Sequence, residues 1–340
     1  MKKRNISILL ILGLFLTGIL PIATMAVTAP GSATTFSDVL ASHPDYTAIE
    51  YLKNEGIING YPDGTFKPEQ VVNRAEALKI ILGANKTAIQ EASKSSFTDV
   101  TAADWFFKYI ETAKALNIVS GNPDGSFAPA RTVNKVEFLK MLLLAYDVKF
   151  VNYKPPVKPL YPDVTDNSAW YIQYLDFAKN LNLISPNSAG EIQPDQGLTR
   201  GEVAEISYKL IIIIKGGPVQ LLLSRAEAQL MQSIFDLRDG ALSDAANDIK
   251  TAKDLASEAL KQAPDQSIVQ AAVKIIEAFE ALVTAFQQTA NGQNTDALKS
   301  AGLAYNTAEA ARQINSGIDN LATQVKNAAK SLADSIRAKQ

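Results

Sequence analysis

Residues 60–68 read Gly60-Tyr61-Pro62-Asp63-Gly64-Thr65-Phe66-Lys67-Pro68, and residues 121–129 read Gly121-Asn122-Pro123-Asp124-Gly125-Ser126-Phe127-Ala128-Pro129. In both, proline presets φ and the glycine after Asp supplies a positive φ, which makes a tight turn. Phe66 and Phe127 then pack inward, and Pro68 and Pro129 end the short extended piece. Two copies of one turn indicate an internal repeat, which decides the fold before any local motif is read. The interval from Asp38 to Asp99, from Gly64 to Gly125 and from Arg74 to Lys135 is 61 residues each time; a third copy follows after 64 residues at Asp163 and 65 beyond it.

Each block opens on an aromatic, one residue, then Asp-Val: Phe36-Ser37-Asp38-Val39, Phe97-Thr98-Asp99-Val100 and Tyr161-Pro162-Asp163-Val164. A short amphipathic helix is predicted next, with Tyr46, Ile49 and Leu52 inward in the first copy, Trp105, Tyr109, Ala113 and Leu116 in the second, and Trp170, Tyr174, Ala178 and Leu181 in the third. Tyr46 lies two residues out of register with Trp105. Gly56, Asn117 and Asn182 mark the helix ends, because Gly and Asn tolerate the left-handed conformation that closes a helix. In the third copy Ser188-Ala189-Gly190 replaces Pro-Asp-Gly, a degraded turn.

A second helix opens at Asn73-Arg74-Ala75-Glu76, Asn134-Lys135-Val136-Glu137 and Thr199-Arg200-Gly201-Glu202. These are capping boxes, so Glu76, Glu137 and Glu202 are structural. Arg74, Lys135 and Arg200 take the first helical position, where the helix dipole disfavours a cation. A locally unfavourable choice made three times points to an anionic or hydroxyl-rich ligand; a solvated charge is the alternative.

The aromatic-x-Asp-Val opening, the turn at 60–68 and the Thr-Arg-Gly-Glu box at 199 together resemble the S-layer homology family, and three tandem units match its usual copy number. The resemblance covers Phe36 to Ile214. It implies a mainly all-α pseudo-threefold helical spindle with grooves between neighbouring units. It also implies non-covalent anchoring to the bacterial cell wall, through pyruvylated secondary cell-wall polysaccharide or a peptidoglycan-linked polymer. The family's polysaccharide-binding positions fall on Arg74, Lys135 and Arg200, on Asp38, Asp99 and Asp163, and on Trp105, Trp170 and Tyr46. Arg can grip a carboxylate bidentately, Asp accepts from sugar hydroxyls, and an aromatic face packs on a sugar ring. The structural alternatives are an Asp that braces a turn and an aromatic that belongs to the core. Lys135 lacks the planar fork of Arg, so unequal grooves are expected, with Lys135→Arg strengthening binding. Replacing Arg74 or Arg200 is expected to weaken binding and spare stability.

Composition agrees with an exported binding protein. A formal net charge of −2 provides no basic field for nucleic acid. No cysteine and the single His43 remove disulfides and most metal or triad chemistry, so no cofactor, metal or enzymatic activity is expected. Lys2, Lys3 and Arg4, the apolar run Ile6 to Ile22 and small residues near Ala26 and Ala29 follow the plan of a signal peptide, residues 1–26, with an uncleaved anchor as the alternative. The expected location is the cell wall, S-layer or cell surface, with no membrane partner after cleavage.

The repeats are placed at 36–84, 97–146 and 161–214, with a boundary at Lys215-Gly216-Gly217-Pro218 and a helical region at 219–340. That region is Ala-rich. Breaks at Asp239-Gly240, Ala263-Pro264 and Asn291-Gly292 cut it into three or four helices of an antiparallel bundle, the last carrying Ile314, Ile318, Leu321, Val325, Ala328 and Leu332 on one stripe. It offers no catalytic set, and display, spacing or self-association is its expected role. The alternatives are a wall-anchored enzyme or an envelope tether whose activity lies in the bundle.

Overall fold

The computed structural model describes residues 34–338; the expected signal peptide, with both candidate cleavage positions, lies outside the described residues. The described residues form ten α-helices and no strand, as the mainly all-α expectation requires. They make two compact units, which part along the chain between Ile211 and Ile212.

In the first unit, α1 (Tyr46–Asn54) and α2 (Arg74–Ala84) form one repeat, α3 (Phe107–Ala115) and α4 (Lys135–Ala145) the next, and α5 (Ile172–Asn180) with the start of α6 (Arg200–Asp239) the third. Gly56, Asn117 and Asn182 close the short helices at φ of 71°, 58° and 51°. The turn glycines Gly64, Gly125 and Gly190 sit at 80°, 81° and 83°. The third turn therefore survives its altered sequence. Asn187 donates to the Glu191 carbonyl at 2.8 Å, as Tyr61 does to Thr65. The Asn187 side chain accepts from the N–H groups of Ala189 and Glu191, standing in for Asp63, which accepts from Thr65.

What closes the three repeats is a ring of backbone hydrogen bonds. Val72 donates to the carbonyl of Leu198 at 2.9 Å, Leu198 to Val133 at 3.1 Å, and Val133 to Val72 at 3.0 Å, with all three side chains fully buried. A helix start leaves its first N–H groups without intrahelical partners, and here the neighbouring repeat supplies them. Arg74 and Ala75 donate to Arg131 and Pro129, Lys135 and Val136 to Gln196 and Pro194, and Arg200 and Gly201 to Gln70 and Pro68. Each repeat thus caps on the next, and the third returns to the first.

Helix α6 departs from helical geometry at Gly217 (φ 62°, ψ −150°), just before Pro218, inside the expected boundary. By length and composition α6 alone among the described residues could cross a membrane, although Gly217 divides it. Its second half joins α7 (Leu242–Gln262), α8 (Ser267–Ala290), α9 (Asn294–Ile314) and α10 (Asp319–Arg337) in the second unit. Helix α8 packs against α7, α9 and α10 and is apolar on almost every face. Its neighbours offer small stripes, Ala245, Ala252, Ala256 and Ala259 on α7 and Ala297, Ala301, Ala304, Ala308 and Ala311 on α9, which let the helices approach closely. The stripe expected to run unbroken from Ile314 to Leu332 is interrupted. Asn315 is extended and its side chain accepts from the Gly317 N–H, so Ser316–Ile318 forms a single 3-10 turn before α10 begins.

Candidate functional site

All three boxes are reciprocal caps. Asn73 accepts from the Glu76 N–H at 2.9 Å while Glu76 accepts from the Asn73 N–H at 3.0 Å. Asn134 with Glu137 and Thr199 with Glu202 repeat the exchange. The cap fixes where the next side chain emerges, and each cation reaches the neighbouring repeat.

Arg74 donates through Nε to the Phe127 carbonyl at 3.1 Å, with its guanidinium 4.6 Å from the Phe127 ring centroid. Lys135 donates to the Ile192 carbonyl at 2.5 Å. Arg200 donates through Nε to the Phe66 carbonyl at 2.8 Å and through Nη2 to that of Asn59 at 2.9 Å, and it lies 4.3 Å from the Phe66 ring. Only 8% of Arg74 and 7% of Lys135 is exposed. Burial lowers both pKa values from their ordinary levels, opposed by Glu137 at Arg74 and by Glu202 and Asp163 at Lys135. These cations join repeats to one another. The expectation that Arg74 or Arg200 can be replaced without cost to stability is therefore corrected, because either change removes an inter-repeat link.

Each opening Asp spends both carboxylate oxygens on the backbone. Asp38 accepts from Phe66 and Lys67, both at 2.7 Å, Asp99 from Phe127 and Ala128, both at 2.7 Å, and Asp163 from Ile192 and Gln193 at 3.0 and 2.7 Å. Lys67, Ala128 and Gln193 hold φ of 58°, 58° and 53°, a conformation costly for residues with a Cβ. The Asp braces that strained peptide, and the residue before it presents the carbonyl that the neighbouring cation takes. Of the two readings of these carboxylates, the brace is the one their hydrogen bonds satisfy.

Tyr46 is corrected. It begins α1 as Phe107 begins α3 and Ile172 begins α5, and all three are buried core. The repeat interval puts Pro44 where the other copies have Trp105 and Trp170. Those two indoles lie in the turns before their helices rather than within them, each 52% exposed. Lys79 lies 5.6 Å from the Trp105 ring centroid and Lys140 lies 5.1 Å from that of Trp170. Sequence reading missed both lysines, although they recur at the same interval of 61 residues that carries the boxes.

A cleft of about 260 Å³ lies beside Trp105, lined by Asn59, Tyr61, Glu76, Lys79 and Arg200 among others. All three repeats contribute to it. An exposed indole face beside two cations suits a ring that is apolar on its faces, polar at its rim and negatively charged. Arg74, Glu137, Lys140 and Trp170 are the corresponding residues at the next junction, where Arg74 lies 3.5 Å from Glu137. Among the described residues no group of three His, Asp or Glu side chains is arranged to hold a metal ion.

A family model described as the S-layer homology domain matches residues 35–78, 96–139 and 160–204. The S-layer protein EA1 of Bacillus anthracis is 29% identical over 170 residues, 50% of this chain and 19% of that protein. Cell surface glycoprotein 1 of Acetivibrio thermocellus is 32% identical over 146 residues, 40% of this chain and 6% of that protein. The cellulosome-anchoring protein of the same organism is 29% identical over 154 residues, 44% of this chain and 33% of that protein. The similarity thus spans a third or less of each relative.

Proposed function

With three S-layer homology repeats in the chain, we propose that it is a secreted, non-catalytic surface protein held to the bacterial wall by an acidic wall saccharide seated between its repeats. The observation that carries this reading is the cleft in which exposed Trp105 meets Lys79 and Arg200. The indole stacks on the sugar ring, and the cations take a carboxylate such as a pyruvate substituent. Asp38, Asp99 and Asp163 act as positioning residues that hold the backbone against which the cations lie. The surface-protein and anchoring names of the relatives support the location. The helical unit is the part displayed, as an assembly or spacer module.

Calorimetric titration of the full chain tests this with pyruvylated wall polysaccharide before and after chemical removal of pyruvate. The reading requires affinity to fall at least about tenfold, equivalent to about 1.4 kcal/mol, when the carboxylate is lost. Equal affinity for both polymers contradicts it.

A further inference from the structure

The three junctions between repeats are not alike in charge or in shape. The first brings together Arg200, Lys79 and Trp105, and the second holds Arg74, Lys140 and Trp170 at the equivalent positions, with Lys140 against the Trp170 ring and Arg74 beside Glu137. At the third, where repeat three meets repeat one, the equivalent positions hold Lys135, Glu205 and Pro44. Each replacement runs the same way: guanidinium to ammonium, ammonium to carboxylate, indole to proline. Resting on the saccharide reading above, we propose that the chain takes two acidic sugars, one at Trp105 and one at Trp170, and that the junction of repeats three and one rejects them and serves to close the ring.

The side chains at that junction support this. Asp45 stands where the other copies carry Phe106 and Tyr171. Its neighbours are the carboxyl groups of Glu205, Glu202 and Glu69 and the ammonium of Lys209, which pairs with Glu205 at 2.8 Å. His43 lies beside it, 3.9 Å from Glu69, with its Nδ1 accepting from the Asp45 N–H. At Asp45 four carboxyl groups therefore face one ammonium, that of Lys209, the reverse of the balance at the Trp105 cleft. An incoming carboxylate meets like charge there. The space is also taken, because Asp45 Oδ2 lies so close to Gly201 that a Cβ on that glycine would fall 2.1 Å from it. This explains the glycine of the third box, where the first two carry Ala75 and Val136.

Titration calorimetry of the full chain with a pyruvylated monosaccharide reads the number of sites directly. Two equivalents per chain are expected, falling to one in Trp105→Ala, to one in Trp170→Ala and to none in the double variant. Both indoles are exposed, so these variants fold. Three equivalents in the wild type, or one equivalent surviving in the double variant, overturns the inference. No binding by the wild type overturns the saccharide reading itself, and this inference with it.

Discussion

Arg200 of the third repeat donates through Nε to the carbonyl of Phe66 in the first, at 2.8 Å across 134 residues of chain. Asp38 holds the same residue from the other side, accepting its N–H at 2.7 Å. The backbone of one residue is thus fixed within its own repeat by a carboxylate and tied to the last repeat by a guanidinium. The arrangement recurs with Asp99, Phe127 and Arg74, and with Asp163, Ile192 and Lys135. Residues that resemble a row of ligand groups in the sequence are, in the structure, the fasteners of the ring that shapes the grooves.

Replacing Arg200 by Ala is expected to lower stability by about 1 to 3 kcal/mol, since it leaves the Phe66 and Asn59 carbonyls without their charged donor. Urea denaturation of both proteins measures this. Binding should weaken as well, because Arg200 lines the cleft. An Arg200→Ala chain as stable as wild type would show that the hydrogen bonds do not tie the ring.

Asp38→Ala removes the acceptor of two backbone N–H groups, one of them on left-handed Lys67. A loss of about 1 to 3 kcal/mol is expected from the same unfolding measurement. Asp63→Ala is the contrast. That carboxylate is exposed and serves only its own turn, so a much smaller change than that of Asp38→Ala is expected.

The chain carries a pH dependence of stability at the junction of repeats three and one. Burial, reinforced by Glu205, Glu202 and Glu69, pushes the Asp45 carboxyl from its ordinary 3.8 up to about 7. The folded protein therefore holds a proton that the unfolded chain releases. Asp45 contributes its full stability below about pH 4 and loses it progressively as pH rises to about 7. Thermal unfolding of wild type and Asp45→Asn should accordingly differ in slope, with the wild-type midpoint falling relative to the variant across that window. Parallel profiles would place the Asp45 titration elsewhere.

Much of the repeat fold was legible because local backbone geometry demands particular residues. Gly64 and Gly125 had to supply positive φ, Gly56, Asn117 and Asn182 had to end helices, and Asn73 with Glu76 had to cap one. Where reading failed, the determining partner lay far along the chain. Nothing adjacent to Arg74 shows that its guanidinium rests on Phe127, and nothing near Asp38 shows that it serves Phe66 and Lys67. The out-of-register Tyr46 carried a signal that its pairing with Trp105 overrode, since the interval of 61 residues points to Phe107. The break at Asn315 was readable from Asn-Ser-Gly, but the helical stripe on either side concealed it.

The central claim is that the chain reaches the wall through the indole-and-cation junctions, and co-sedimentation with isolated cell walls tests it most directly. Full-length wild type and the Trp105→Ala/Trp170→Ala double variant should both unfold cooperatively, the variant at a modestly lower temperature, because each ring is half exposed and half packed on aromatic neighbours. The account predicts that wild type pellets with intact walls and stays soluble with walls stripped of their non-peptidoglycan polymer, while the double variant stays soluble with both. A double variant that pellets with intact walls as completely as wild type would contradict it.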